Sequence, residues 1–485
     1  MVIPTKSIVA LVALAACAFA AHAAAIGYEG ARHLLNRTGF GATDAEVAQF
    51  APLDRDTAVD RLLGAARTEP VHKPPAFVDD DFTPFPKLRA LSADDRKAYQ
   101  RRRTEEAFEL RGWWLREMLD TPSPLSERMT LFWHNHFATS EQKVRSPQLM
   151  YRQNVLLRSE ALGNFGTLLH AIGKDPAMLV WLDNAGNRRK APNENFAREV
   201  MELFTLGEGH YGETDVKEAA RAFTGWSLDR DNGTYRFRPA FHDFGEKSVL
   251  GRSGRLDGDD VIDVLLARPE TAQFVVAKLW REFVSPDPQP AQVARWAALL
   301  RDSRYEVKPL LRAMLTSDAF WSPSNRASLV KSPVVLVVGT LRTFDIRPFD
   351  LRPAVLACAA LGQNLLTPPN VKGWPGGDAW ITSATLLARK QWIDRVFRGA
   401  EPAMLMVSTD SPQPSAPGAT PGEQRLARML ERGMSDYAFD PSRLPRDPTR
   451  LRTLALATAP VNSTEGLEGA ELVRALVSDP AYQLQ

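Results

Sequence analysis

The chain has 485 residues, 44% of them hydrophobic and 24% charged, with 60 Lys and Arg against 58 Asp and Glu for a net charge of +2. That length and composition suit a soluble globular protein of one large or two ordinary domains, with ample material for a core. So even a charge balance argues against bulk attraction to nucleic acid or to an acidic membrane surface.

Residues 1–23 predict an export signal. Lys6 precedes an apolar run from Ile8 to Ala21 that closes on Ala21-His22-Ala23, a small-residue cleavage pattern. The run is too short to cross a bilayer, and no later stretch is apolar for long enough to form a transmembrane helix. Leu14-Ala15-Ala16-Cys17 offers a competing lipobox in which Cys17 would carry a lipid anchor, but the apolar run continues past it and favours cleavage near Ala23. The expected destination is the periplasm or the medium. After cleavage Cys358 has no partner, and its neighbours Leu356, Ala357, Ala359 and Leu361 mark it as a small buried hydrophobe.

The rest predicts an all-α fold, with a main helical domain over 24–407, a Pro/Ser/Gly-rich flexible linker over 408–422 and a small helical segment over 423–485. A short helix after Tyr28 stops at Gly39 and Gly41, and Thr43 or Asp44 starts the next. The prolines between Thr68 and Pro86 make an extended loop. A long amphipathic helix then runs from about Ala93 to Leu119, and the helix beyond Pro124 carries Phe132, Trp133, His134 and His136. The exception to helix is the 227–258 region, where Asp231-Asn232-Gly233 between apolar flanks predicts a short hairpin. Helices resume from Pro269, and Pro368–Trp380 forms a compact loop before the last helix of the main domain.

The central stretch Ala191–Trp226 predicts a helix, a Gly-rich turn and a second helix opened by Asp215. At about 100° per residue, Glu194, Asn195, Arg198, Glu199 and Glu202 share one arc of the first helix, with Phe196, Val200, Met201, Leu203 and Phe204 opposite. Glu199 and Glu202 could hold a metal between helices or act as acid and base. The plainer alternative is a solvated face laced by the Glu194–Arg198 and Arg198–Glu202 spacings.

Three other segments gather polar groups. In Phe132-Trp133-His134-Asn135-His136-Phe137 the two histidines could ligate a metal, although on a regular helix they lie about 200° apart and do not converge. His242-Asp243 could serve as ligand, general base or loop brace, with Lys247 close by. In the Pro368–Trp380 loop, Trp374 and Trp380 could contact a sugar or simply staple a rigid turn. No nucleophile elbow, phosphate loop, HExxH or dinucleotide fingerprint is present.

The order of these segments resembles one bacterial family. RHLLNRTGFG at Arg32–Gly41, LFWHNHFAT at Leu131–Thr139, PNENFAREVMELFTLG at Pro192–Gly207, DVKEAARAFTGW at Asp215–Trp226, HDFGEKSVLG at His242–Gly251, PPNVKGWPGG at Pro368–Gly377 and DPAYQL at Asp479–Leu484 are similar to the family catalogued as domain of unknown function 1800. The resemblance implies an exported, largely helical bacterial protein that partners a co-encoded secreted sulfatase-like or phosphatase-like protein. It carries no catalytic residues with it.

Two functions are therefore expected. One is a metal-assisted or acid/base hydrolase or lyase on an extracellular polymer or conjugate, with His134, His136, His242, Glu199, Glu202 and Asp243 as catalytic candidates. In that reading His134, His136 and His242 would hold a divalent metal such as zinc, and Asn195, Arg198, Lys247, Trp374 and Trp380 would bind substrate. The other is a non-catalytic scaffold for the sulfatase-like partner or a glycan, whose ionisable groups form a structural network.

Overall fold

A computed structural model describes residues 24–398 and 437–485, and the expected export signal, Cys17 of the competing lipobox and the expected linker over 408–422 lie outside the described residues. The described chain is mainly helical, as expected, and none of its helices is long and apolar enough to cross a membrane.

Local chemistry sets most helix boundaries. The long helix Ala93–Asp120 starts where the Ser92 hydroxyl accepts from the Asp95 amide, and stops at Thr121 before Pro122. The helix Pro333–Thr343 is buried at every position, which suits a sequence that is apolar nearly all round. It can lie deep because Gly339 lets the backbone of the Gly39–Gly41 turn approach. A Cβ on Gly339 would stand 2.6 Å from the Phe40 carbonyl oxygen, and Gly41 itself has φ +100°.

The short strands form antiparallel pairs. Trp226–Leu228 pairs with Tyr235–Phe237 around Gly233, the hairpin expected from sequence, and Lys247–Val249 pairs with Arg252–Gly254. A third pair, Arg347–Pro348 with Tyr437–Ala438, was not expected and joins chain positions far apart.

Among the described residues the apolar side chains gather into two large cores. The first gathers Trp133, Phe165, Phe196, Phe204, Phe223 and Trp280. The second gathers Trp114, Val337, Phe344, Trp374, Trp392 and Tyr482. The helix Pro124–His136 lies between them, giving Met129 and Trp133 to the first and Leu131 to the second. Residues 437–485, the described part of the small segment expected over 423–485, contribute Tyr437, Leu451, Leu472 and Tyr482 to the second core. Cys358 is free and buried, and burial pushes its thiol pKa up, which keeps it unreactive.

Candidate functional site

The end of the Pro124–His136 helix meets three elements at once, and its last residues face different neighbours. The His134 ring packs edge-on against Trp114 at 5.4 Å and tilted against Trp374 at 5.6 Å, and its Nε2 has no hydrogen-bond partner among the described residues. Burial alone pushes its pKa down to about 3, so it is a neutral ring in an aromatic wall. The Asn135 amide oxygen accepts from the Trp374 amide at 2.7 Å. That anchors the 368–380 loop, and Gly373 fits there because a Cβ would lie 2.3 Å from the same oxygen.

His136 is placed differently. Its Nε2 lies 3.1 Å from the Phe204 carbonyl oxygen, which fixes Nε2 as the protonated nitrogen and leaves Nδ1 as an acceptor. The Lys278 ammonium donates to that Nδ1 at 3.2 Å and to the Leu203 carbonyl at 3.2 Å. Burial, then the Lys278 charge, drives the His136 pKa well below its usual value. Burial, then the Arg281 charge, brings Lys278 down to about 8.

Both carbonyls belong to a π turn. The first helix expected in the Ala191–Trp226 stretch is α-helical over Glu194–Glu199 and widens to π-helix over Val200–Thr205. Leu206 N donates to Met201 O, five residues back, and Thr205 Oγ1 donates to Val200 O. The wide turn leaves the Leu203 and Phe204 carbonyls for His136 and Lys278. The second helix starts at Glu213, not at Asp215, whose carboxylate instead accepts from the Gly212 and Leu250 amides.

His136 and Lys278 lie at a cleft of about 460 Å³ whose wall includes Asn135, Arg281, Lys372, Trp374 and Trp380. Trp374 and Trp380 are almost fully buried, so they shape this wall and offer little open ring face. Arg128 on the same wall is bound to Glu282 at 2.6 Å, whereas among the described residues Arg281 donates to its own helix carbonyl, Ala277 O, at 3.5 Å. Lys278 and Arg281 are thus like charges one helical turn apart, facing a polar cleft.

The other sequence candidates do not join this group. Glu199 is half-buried, and burial and then the Glu202 charge raise its pKa, while Lys372 pulls it back. Glu202 accepts from the Tyr211 hydroxyl at 2.6 Å and does not pair with Arg198 as expected. Arg198 instead forks onto Glu213 at 2.7 and 2.8 Å, tying the first helix to the second. The exposed Asn195 donates from its side chain to the Leu182 carbonyl.

His242 is held by Nδ1 at 2.7 Å from the Thr224 carbonyl and packs against Phe237 and Phe244, with no contact to His134 or His136. The Asp243 carboxylate is bound by Arg221, which holds its pKa low, and Lys247 donates to the Asp243 and Gly245 carbonyls. The expected trio of His134, His136 and His242 is therefore not assembled as a metal site. Among the described residues no group of three or more His, Cys, Asp or Glu side chains is placed to hold a metal ion.

Lys278 and Arg281 escaped sequence reasoning. Their signal was a lysine inside the apolar run Val275-Val276-Ala277-Lys278-Leu279-Trp280 with a second cation three residues on.

Comparison with curated proteins and with solved structures returned no match. A family model does match, described as a protein of unknown function (DUF1800) and aligned over residues 33–484, so the chain belongs to that family.

Proposed function

We propose that the protein is an exported acid/base enzyme, a hydrolase or lyase for an extracellular polymer or conjugate, centred on His136 and Lys278. The observation that carries this is the half-buried Lys278 on the buried His136, the pair opening on the cleft, with burial and the Arg281 charge bringing the lysine pKa down to about 8. An amine with that pKa passes a proton readily in either direction near neutral pH. As the ammonium it can protonate a leaving oxygen, and as the free amine it can take a proton from water or from carbon. His136 cannot charge easily and acts by positioning: its Nδ1 lone pair and the Leu203 carbonyl hold two of the three Lys278 N–H groups. The acid/base form of the reading is preferred to the metal-assisted form, because the donors for zinc do not converge.

The test is turnover against a panel of acidic polysaccharides, esters, and sulfate and phosphate conjugates. Lys278→Met should lower turnover by about 100-fold or more with the fold retained. Wild-type turnover that survives Lys278→Met unchanged, or an inert wild type across the panel, sinks the proposal.

A second reading, the scaffold for a sulfatase-like secreted partner or a glycan, is favoured by a different observation. Arg198, His242, Asp243 and Lys247 are all engaged by partners within the chain. Co-purification of the two exported proteins from their native host, lost on changing cleft residues, would support it.

A further inference from the structure

The stretch from Tyr235 to Lys247 lines no part of that cleft, yet it turns aromatic rings to the solvent. Phe244 is 58% exposed and Phe237 38%. Both pack edge-to-face on the His242 ring, with centroids 4.6 Å and 5.4 Å away. His242 is itself buried and pinned through Nδ1 to the Thr224 carbonyl, so one fixed ring braces both phenyls. Gly225 completes the support. A Cβ there would stand 3.1 Å from Phe237 Cε2 and 3.1 Å from His242 Cβ, and its φ of +85° suits glycine. The exposed rings therefore rest on a packed underlayer that holds them in place.

A third ring extends the patch and brings charge to it. Phe241 precedes His242 in the chain and carries the Arg188 guanidinium 4.8 Å from its ring centre. The Phe241 carbonyl accepts from the Arg189 amide at 2.8 Å, which fixes the run Arg188-Arg189-Lys190 beside the rings. All three residues of that run are exposed. Two acids of the neighbouring turns, Asp229 and Asp243, are already bound by Arg236 and Arg221.

Exposed apolar clusters rimmed by polar groups mark interaction sites. The partner of this one must offer apolar C–H faces to the rings and negative charge to the cations. A polymer of uronate or sulfated sugars offers both: its sugar C–H groups meet the negative faces of the phenyls, and its acid groups meet Arg188 and its neighbours. An acidic bilayer fits less well, because it draws on a larger excess of positive charge than a chain at +2 supplies.

We propose that Phe237, Phe241 and Phe244, with Arg188, Arg189 and Lys190, form a docking surface for an acidic polysaccharide. This binding function is separate from the chemistry of Lys278 and holds whether or not the cleft is catalytic.

Native gels cast with polygalacturonate, alginate or chondroitin sulfate test it. The full protein should be retarded by at least one of the three and should pass unhindered through dextran. Phe244→Ser, at a position more than half exposed, should keep the unfolding midpoint and weaken binding by about tenfold. Arg188→Ser should weaken it by about threefold and reduce its salt dependence. Lys278→Met should be retarded like the wild type, which separates this surface from the cleft. A wild type that ignores all three polymers, or a folded Phe244→Ser retarded as strongly as the wild type, overturns the proposal. Binding to phosphatidylglycerol vesicles without gel retardation overturns it in favour of a membrane surface. A dimer that Phe244→Ser separates, again without retardation, overturns it in favour of a second copy of the chain.

Discussion

Glu127 and Arg158 face each other almost fully buried, bonded at 2.6 and 2.9 Å, and the Trp114 indole donates to the same carboxylate at 3.0 Å. Removing one partner strands the other in the interior. Glu127→Ala should cost about 3–5 kcal/mol in denaturant unfolding, and Glu127→Gln less. Asp175 is a buried acid of another kind. It caps the Pro176–Trp181 helix by accepting from the Met178 amide and takes a bond from Gln153, yet burial raises its pKa to about 7. Between about pH 4 and pH 7 the folded state binds a proton that the unfolded chain does not, so stability falls as pH rises through that window and is level above it. The fall should be on the order of 2–4 kcal/mol, and Asp175→Asn, which keeps the cap, should flatten it in urea titrations run at each pH. Lys278 works in the opposite sense. Its folded pKa of about 8 lies below the unfolded value, so the unfolded chain holds the extra proton between about pH 8 and pH 10 and stability rises with pH there.

At the scale of elements, the π turn is where the side chains of three helices meet. Thr205→Val removes the hydroxyl that donates to the Val200 carbonyl at 2.7 Å, and should cost about 1–2 kcal/mol in denaturant unfolding. If the turn sets the site, that variant should also move the Lys278 pKa, read by NMR of the labelled amine. Helices such as Ala93–Asp120 were legible in the sequence because periodicity, the Ser92 cap and Pro122 are all local signals. The hairpin at Gly233 was legible for the same reason. The π turn was not, because its carbonyls are taken by His136 and Lys278, which lie 68 and 75 residues away in sequence from Phe204 and Leu203. The same distance hid the cleft. Spacing alone located His136 but could not show that its partner is a lysine, nor that Arg198 prefers Glu213 to Glu202.

For the molecule as a whole, surface charge pairs contribute little beside the cores. Arg312 bonds Asp56 and Asp60 across two helices, but every side chain in that group is about half exposed. Arg312→Ala should change stability by less than about 1 kcal/mol, with the difference shrinking in high salt when measured by thermal unfolding. The cores behave otherwise, since the second is built from chain positions as distant as Leu110 and Tyr482. The strand pair Arg347–Pro348 with Tyr437–Ala438 and the bridge between Val330 and Leu484 stitch the last described stretch into that core. A chain severed between positions 398 and 437 would therefore not come apart. Its two pieces, produced separately, should find each other in solution and complement, so this protein could be split at that point and used as a reporter of proximity.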